Sequence, residues 1–154
     1  MSNNVPNFKF TAHDIAAVYE ALTFHDQNLK TYFENYLNAE YPKSEDERLH
    51  YNGFGQISRY IEDEFKRGQT GLFDPFFEAV ELILSSCDRE IANLVVIGLF
   101  EAIQNIGGNE INYYSGFNKW LRTISKLNWD QLIDFWEGKG WRDTWQSIAT
   151  KNTK

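Results

Sequence analysis

The chain predicts an all-α fold: a compact bundle of about six to eight helices in a single domain, residues 1–154, built around a buried central hairpin. Three observations carry this. The stretch Asp88 to Asn105 holds a seven-residue apolar run, Leu94 to Phe100, bracketed by helix-end residues. Apolar residues elsewhere recur at three- and four-residue spacing between capping residues and Pro or Gly stops. A length of 154 residues, 42% hydrophobic and 16% aromatic, is enough for one substantial core.

Helix one is opened by Thr11 with Asp14 three positions on, and Ile15, Val18, Tyr19 and Leu22 follow on one face. A second helix runs from about Asp26 through Leu29, Phe33, Tyr36 and Leu37 to Tyr41-Pro42, where the residue before proline disfavours helix. Ser44 and Glu47 form another capping pattern. Asn52, Gly53 and Gly55 predict a break before Ile57, Tyr60, Ile61 and Phe65, and Gly68 closes the element. Asp74-Pro75 reads as an N-cap followed by proline at the first helical position, opening a helix through Phe76, Phe77, Val80 and Ile83.

A short turn, Ser85 to Cys87, leads to Asp88 as the cap of the central helix, which Gly107-Gly108 ends. These two helices form the predicted antiparallel hairpin. Val95, Val96 and Ile97 favour a strand, but the length of the element decides for helix. Phe117, Trp120, Leu121 and Ile124 predict a sixth helix. A separate short one, through Leu132, Ile133, Phe135 and Trp136, opens at Asn128 or Asp130 and ends at Gly138 and Gly140. Trp141, Trp145 and Ile148 are placed to pack a last turn. Paired helices of similar length leave room for a degenerate helical-repeat stack.

Charge is uneven. Residues 1–118 carry 18 acids and 8 bases, a net of −10, whereas residues 119–154 carry 4 acids and 7 bases, a net of +3. An acidic body repels phosphate backbones, which disfavours direct nucleic-acid binding and suits a basic protein partner; mild acidity for solubility is the plainer explanation. No apolar run approaches the roughly 20 residues that span a bilayer. The N-terminal stretch lacks a secretory pattern, and the single cysteine, Cys87, has no internal partner; both suit a reducing cytoplasm.

Each chemical motif has a cheaper structural explanation. Glu47 and His50 make one Glu-x-x-His pair, a spacing that di-iron bundles use twice; a polar helix face accounts for a single copy, and no metal or cofactor is expected. Cys87 precedes a helix start that would lower a thiol pKa, yet no histidine is local to it. Nucleophile-elbow, Walker and dinucleotide motifs are absent. Glu81 and Glu101 fall on apolar helix faces, where they are either a raised-pKa acid pair or structural acceptors, and the structural role is favoured.

The candidate partner-binding patch comprises Tyr41, Glu45, Asp46, Glu47, Tyr51, Phe54, Tyr60, Glu62 and Asp63: acids interleaved with aromatic anchors, as a site for a basic protein requires, set against a merely solvated helix face. Three segments, Phe76 to Glu81, Asp88 to Asn105 and Phe135-Trp136-Glu137, resemble small acidic helical immunity proteins of bacterial polymorphic-toxin and contact-dependent inhibition systems. The resemblance covers about half the chain. It implies a non-enzymatic cytoplasmic antidote that binds one cognate toxin domain, often a nuclease, through a surface that varies with the toxin. The alternative is a helical adaptor for an endogenous protein, with Trp120 to Trp145 as core or interface. An acid-base hydrolase using Glu81 and Glu101 is the third reading.

Overall fold

The computed structural model describes residues 9–42, 49–107, 112 and 115–137. A 3-10 turn, Ala12–Asp14, leads into α1 (Ile15–Thr23), followed by α2 (Gln27–Glu40), α3 (His50–Lys66) and α4 (Phe73–Ser85). Helix α5 is continuous over residues 89–107: an α-helical start Arg89–Asn93, a wider π-helical middle Leu94–Glu101 and an α-helical end Ala102–Gly107. Helix α6 is Thr123–Glu137. The helices close a ring in the spatial order α1, α2, α3, α5, α6, α4 and back to α1. Their apolar faces meet in one cluster that includes Val18, Phe33, Ile57, Phe77, Val95 and Trp129. None of the described helices is long and apolar enough to cross a membrane.

Caps explain the element boundaries. Asp26 accepts from the Leu29 amide at 2.8 Å and opens α2. Asp88 accepts from the Ile91 amide at 2.9 Å and opens α5. Its second oxygen accepts from the Ala12 amide at 3.1 Å, so the first turn of the chain is capped from 76 residues away. Thr11, the expected cap, makes no side-chain capping bond, and α1 proper starts four residues later. Gly68, at φ 74°, ends α3: its amide bonds to the Phe65 carbonyl and that of Gln69 to Glu64, a Schellman closure.

Helix α3 departs from expectation by running unbroken through Asn52, Gly53 and Gly55. Two interior glycines cost about 1 kcal/mol each relative to alanine. Fully burying Phe54, Ile57 and Ile61 returns roughly 1.5–3 kcal/mol apiece, so packing outweighs propensity. The Ser44–Glu47 capping pattern lies outside the described residues, and Leu49 stands at the N-cap without a side-chain bond.

The central helix packs most heavily on α3, while α4 meets its first turns where the chain reverses at Ser86. At the crossing with α3, a Cβ on Gly98 would sit 2.8 Å from the Cβ of Phe54, so only glycine allows this approach. The Ser58 hydroxyl, fully buried, lies 3.0 Å from the Phe54 and Leu99 carbonyls and 3.3 Å from that of Gly98. It supplies a donor where the widened turns of α5 rearrange the usual ladder.

The end of the fold is held by α4. Both oxygens of Glu81 accept amides at the start of α6, from Ile124 at 2.9 Å and Ser125 at 2.8 Å. Arg122 pairs with Asp74 at 3.0 Å. Asp74 therefore does not cap α4, which begins at Phe73 with Pro75 inside its first turn, where a missing amide costs nothing. The two short helices expected after residue 117 are instead turns at 115–120 and one continuous α6. Asn128 and Asp130 lie inside it: the first donates to the Ile124 carbonyl at 2.9 Å, the second pairs with Lys126 at 2.7 Å. Gly138, Gly140, Trp141, Trp145 and Ile148 lie outside the described residues.

Candidate functional site

The predicted patch is only partly a surface. Phe54 is 0% exposed, packed on Tyr19 at 5.6 Å between ring centres and beneath Gly98, so it belongs to the core and not to an interface. Glu62 is 2% exposed; one oxygen pairs with Lys66 at 2.7 Å and the other has no hydrogen-bond partner among the described residues. It is an interior acid, not part of an exposed rim. Both corrections have one cause: with α3 continuous, Phe54, Ser58 and Glu62 fall on its inward face.

Tyr60 packs on Tyr32 at 5.3 Å and hydrogen-bonds with Asp26; burial first, then Asp26 and Glu64 nearby, pushes its phenol up to about 12. Asp63 is exposed, and Glu45, Asp46 and Glu47 lie outside the described residues.

Tyr41 and Tyr51 do come together, in company the sequence reading omitted. The C-terminal turn of α2 and the first three turns of α3 border a cleft of about 350 Å³ walled by Tyr36, Tyr41 and Tyr51, with Glu40 and Arg59 among its lining residues. Tyr36 and Tyr41 meet edge to face at 6.2 Å, and the Tyr41 hydroxyl accepts from the Leu49 amide at 3.2 Å across the junction of α2 and α3. Burial, then the hydrogen bond with Tyr41, pushes the Tyr36 phenol up to about 12.

A second cleft, of about 450 Å³, adjoins the first between α3 and the start of α5; Leu49, His50, Glu90 and Leu94 line it. Tyr51 and Asn52 belong to both clefts, so Tyr51, 49% exposed, forms the ridge that separates them. Leu49, 61% exposed, stands beside it. A visible signal did exist: Tyr36 with Glu40, and Tyr51 with Gly55, are one helical turn apart on facing ends of α2 and α3.

The catalytic candidates are committed elsewhere. Both Glu81 oxygens accept backbone amides of α6, which is the structural role. Cys87 sits in a one-residue parallel bridge to Phe10; burial, then Asp88 beside it, pushes its thiol up, the reverse of nucleophile activation. His50 Nδ1 lies 2.6 Å from the Tyr19 hydroxyl, which fixes the ring on α1. Trp120 and Trp129 are core residues.

Fold and site together define a class: an all-α, acidic helical protein with a tyrosine-divided double cleft on one face. The chain belongs to the family described as Domain of unknown function (DUF7674), which matches residues 19–137 and so takes in both clefts. No curated protein and no solved structure matches the chain.

Proposed function

We propose that this chain is a non-enzymatic immunity protein that binds and neutralises a cognate toxin domain, a basic nuclease, in the bacterial cytoplasm. The observation that carries this reading is Tyr51, half exposed between two clefts whose rims hold Glu40 and Glu90, carboxylates with no ion-pair partner among the described residues. A rigid aromatic anchor between unpaired acids suits a basic protein surface: charge steers the encounter and the aromatic side chain supplies the affinity. The net charge of −10 over residues 1–118 acts in the same direction. The engagement of Glu81 and the raised thiol of Cys87 argue against acid-base or nucleophilic chemistry at those positions.

The test is co-expression with the C-terminal toxin domain encoded directly upstream, combined with calorimetry on the purified pair. Growth rescue with tight one-to-one binding that weakens steeply with salt is the expected result. Absence of both rescue and binding would overturn the reading. A helical adaptor for an endogenous protein draws on a different feature, an apolar hollow of about 520 Å³ between α1 and α4 where Phe24 and Leu82 are exposed. Its expected signature is capture of a partner that Phe24→Ser abolishes and Tyr51→Ser leaves intact.

A further inference from the structure

We infer that the double cleft accepts one basic segment of a partner protein in a fixed polarity, a cationic side chain entering beside Glu40 and a neighbouring aliphatic side chain entering beside Leu94, with Tyr51 clamped between them. This deepens the immunity reading and rests on it for the identity of the partner. The argument comes from how unlike the two clefts are. The first is walled by tyrosine rings and hydroxyls and carries the charges Glu40 and Arg59, neither ion-paired among the described residues. Two opposite charges in one cleft, left unneutralised by each other, impose an orientation: a cation is drawn to Glu40 and repelled by Arg59. Tyrosine faces next to a carboxylate add a cation–π contribution to an incoming lysine or arginine.

The second cleft has an aliphatic lining from Leu49 and Leu94, with Glu90 and Asn93 at its edge. Leu49 is 61% exposed although it directly precedes a well-packed helix. An exposed leucine beside a half-exposed tyrosine, edged by a carboxylate, is the composition of an interface centre with a polar rim. Because Tyr51 and Asn52 face both clefts, the two subsites lie one side chain apart. Adjacent or alternate residues of a single partner segment therefore span them. The Tyr41 hydroxyl accepts the Leu49 amide, which ties the end of α2 to the start of α3 beside both clefts.

The probe is a pair of capped tetrapeptides, acetyl-Lys-Leu-Lys-Leu-amide and acetyl-Glu-Leu-Glu-Leu-amide, titrated into the full ¹⁵N-labelled chain. The basic peptide should shift the amides of residues 40, 49–52 and 90–94 saturably at millimolar concentration, while the acidic one should leave them unmoved. Tyr51→Ser should weaken that binding at least tenfold. Leu49→Ser, at a more exposed position, provides the same readout should the first variant misfold. Glu40→Gln should weaken it about threefold, and Arg59→Gln should strengthen it by a similar factor. Equal response to both peptides, shifts centred elsewhere, or indifference to Tyr51 and Leu49 would overturn the inference.

Failure of the antidote reading looks different. Peptide binding at these residues with no rescue from the toxin domain leaves the cleft chemistry standing and removes the immunity role. Rescue that survives both Tyr51→Ser and Leu49→Ser keeps the immunity role and removes this site.

Discussion

Two aromatic regions of this molecule are built from different residues for different ends. Where α3, α4, α5 and α6 converge, a set of phenylalanine and tryptophan rings turns inward: Phe65 stacks on Phe117 at 4.5 Å, Phe73 meets Trp120 at 4.8 Å and Phe100 meets Trp129 at 5.3 Å. At the junction of α2 and α3 three tyrosines, Tyr36, Tyr41 and Tyr51, line a surface cleft, while Phe33 and Phe54 of the same helices stay in the core. A phenol must keep its hydroxyl bonded or wet, so tyrosine goes to the core only where a partner waits. Tyr19 is the case in point, 6% exposed with its hydroxyl hydrogen-bonded at 2.6 Å to His50 Nδ1. One region consequently holds the fold together, and the other lies at the surface, where the proposed recognition would take place.

The sharpest break in that contrast is Trp129→Ala against Tyr51→Ser. Trp129 is wholly buried between Phe100 and Phe117, so its truncation should cost about 3–5 kcal/mol and threaten folding altogether. Loss of the half-exposed Tyr51 should cost under about 1 kcal/mol. Urea titrations of the two variants measure this, and equal losses would erase the division between core and recognition aromatics.

Next in size is the clamp between α4 and α6. Glu81→Gln removes the charge that two α6 amides share and should destabilise by about 1.5–3 kcal/mol, with protection from hydrogen exchange lost first at residues 123–126. A variant as stable as the parent would show that α6 is held by its apolar face alone.

Two glycines separate core from surface in the same way. Gly98→Ala drives a methyl to 2.8 Å from Phe54 and should cost about 1–3 kcal/mol. Gly55→Ala, within the same helix as Phe54 and with nothing within 4 Å of the new carbon, should stabilise by about 0.5–1 kcal/mol. Opposite signs in thermal melts are the expected outcome.

The smallest effect separates tyrosines by environment. The phenols of Tyr36 and Tyr60 are raised in the fold from the ordinary 10.0 to about 12. A raised folded pKa means that their contribution is fully present below pH 10 and drains away as pH climbs towards 12. Stability should fall over that interval, and Tyr36→Phe should flatten the fall. Phenolate absorbance should grow in two steps, the later one from these residues. A single step at the ordinary pKa would contradict the packing described for both.

Much of the fold was legible in the chain. Asp88 caps where its spacing indicates, α2 opens at Asp26, Gly68 closes α3, and the apolar run of α5 is helical and largely buried, with Ile97 left 45% exposed. Beyond the caps expected at Thr11 and Asp74, the departures share one form: Gly53, Gly55, Asn128 and Asp130 look like local punctuation, and packing carries the helices straight through them. The candidate patch changes accordingly: the unbroken α3 carries Phe54 into the core, and Glu62, one turn beyond Ser58, lies on the same inward face.

Composition and periodicity determined by themselves that the chain is helical, acidic and centred on the Leu94–Phe100 run, since burial of an apolar face and capping of helix ends are local demands written in residue type and spacing. Only the tertiary structure decided which acids stay exposed, that Asp88 caps a turn 76 residues away, that Glu81 anchors α6, and that Tyr51 stands between two clefts. Each of these depends on which helices become neighbours. That choice follows from the summed packing of the whole chain, and no window of sequence contains it.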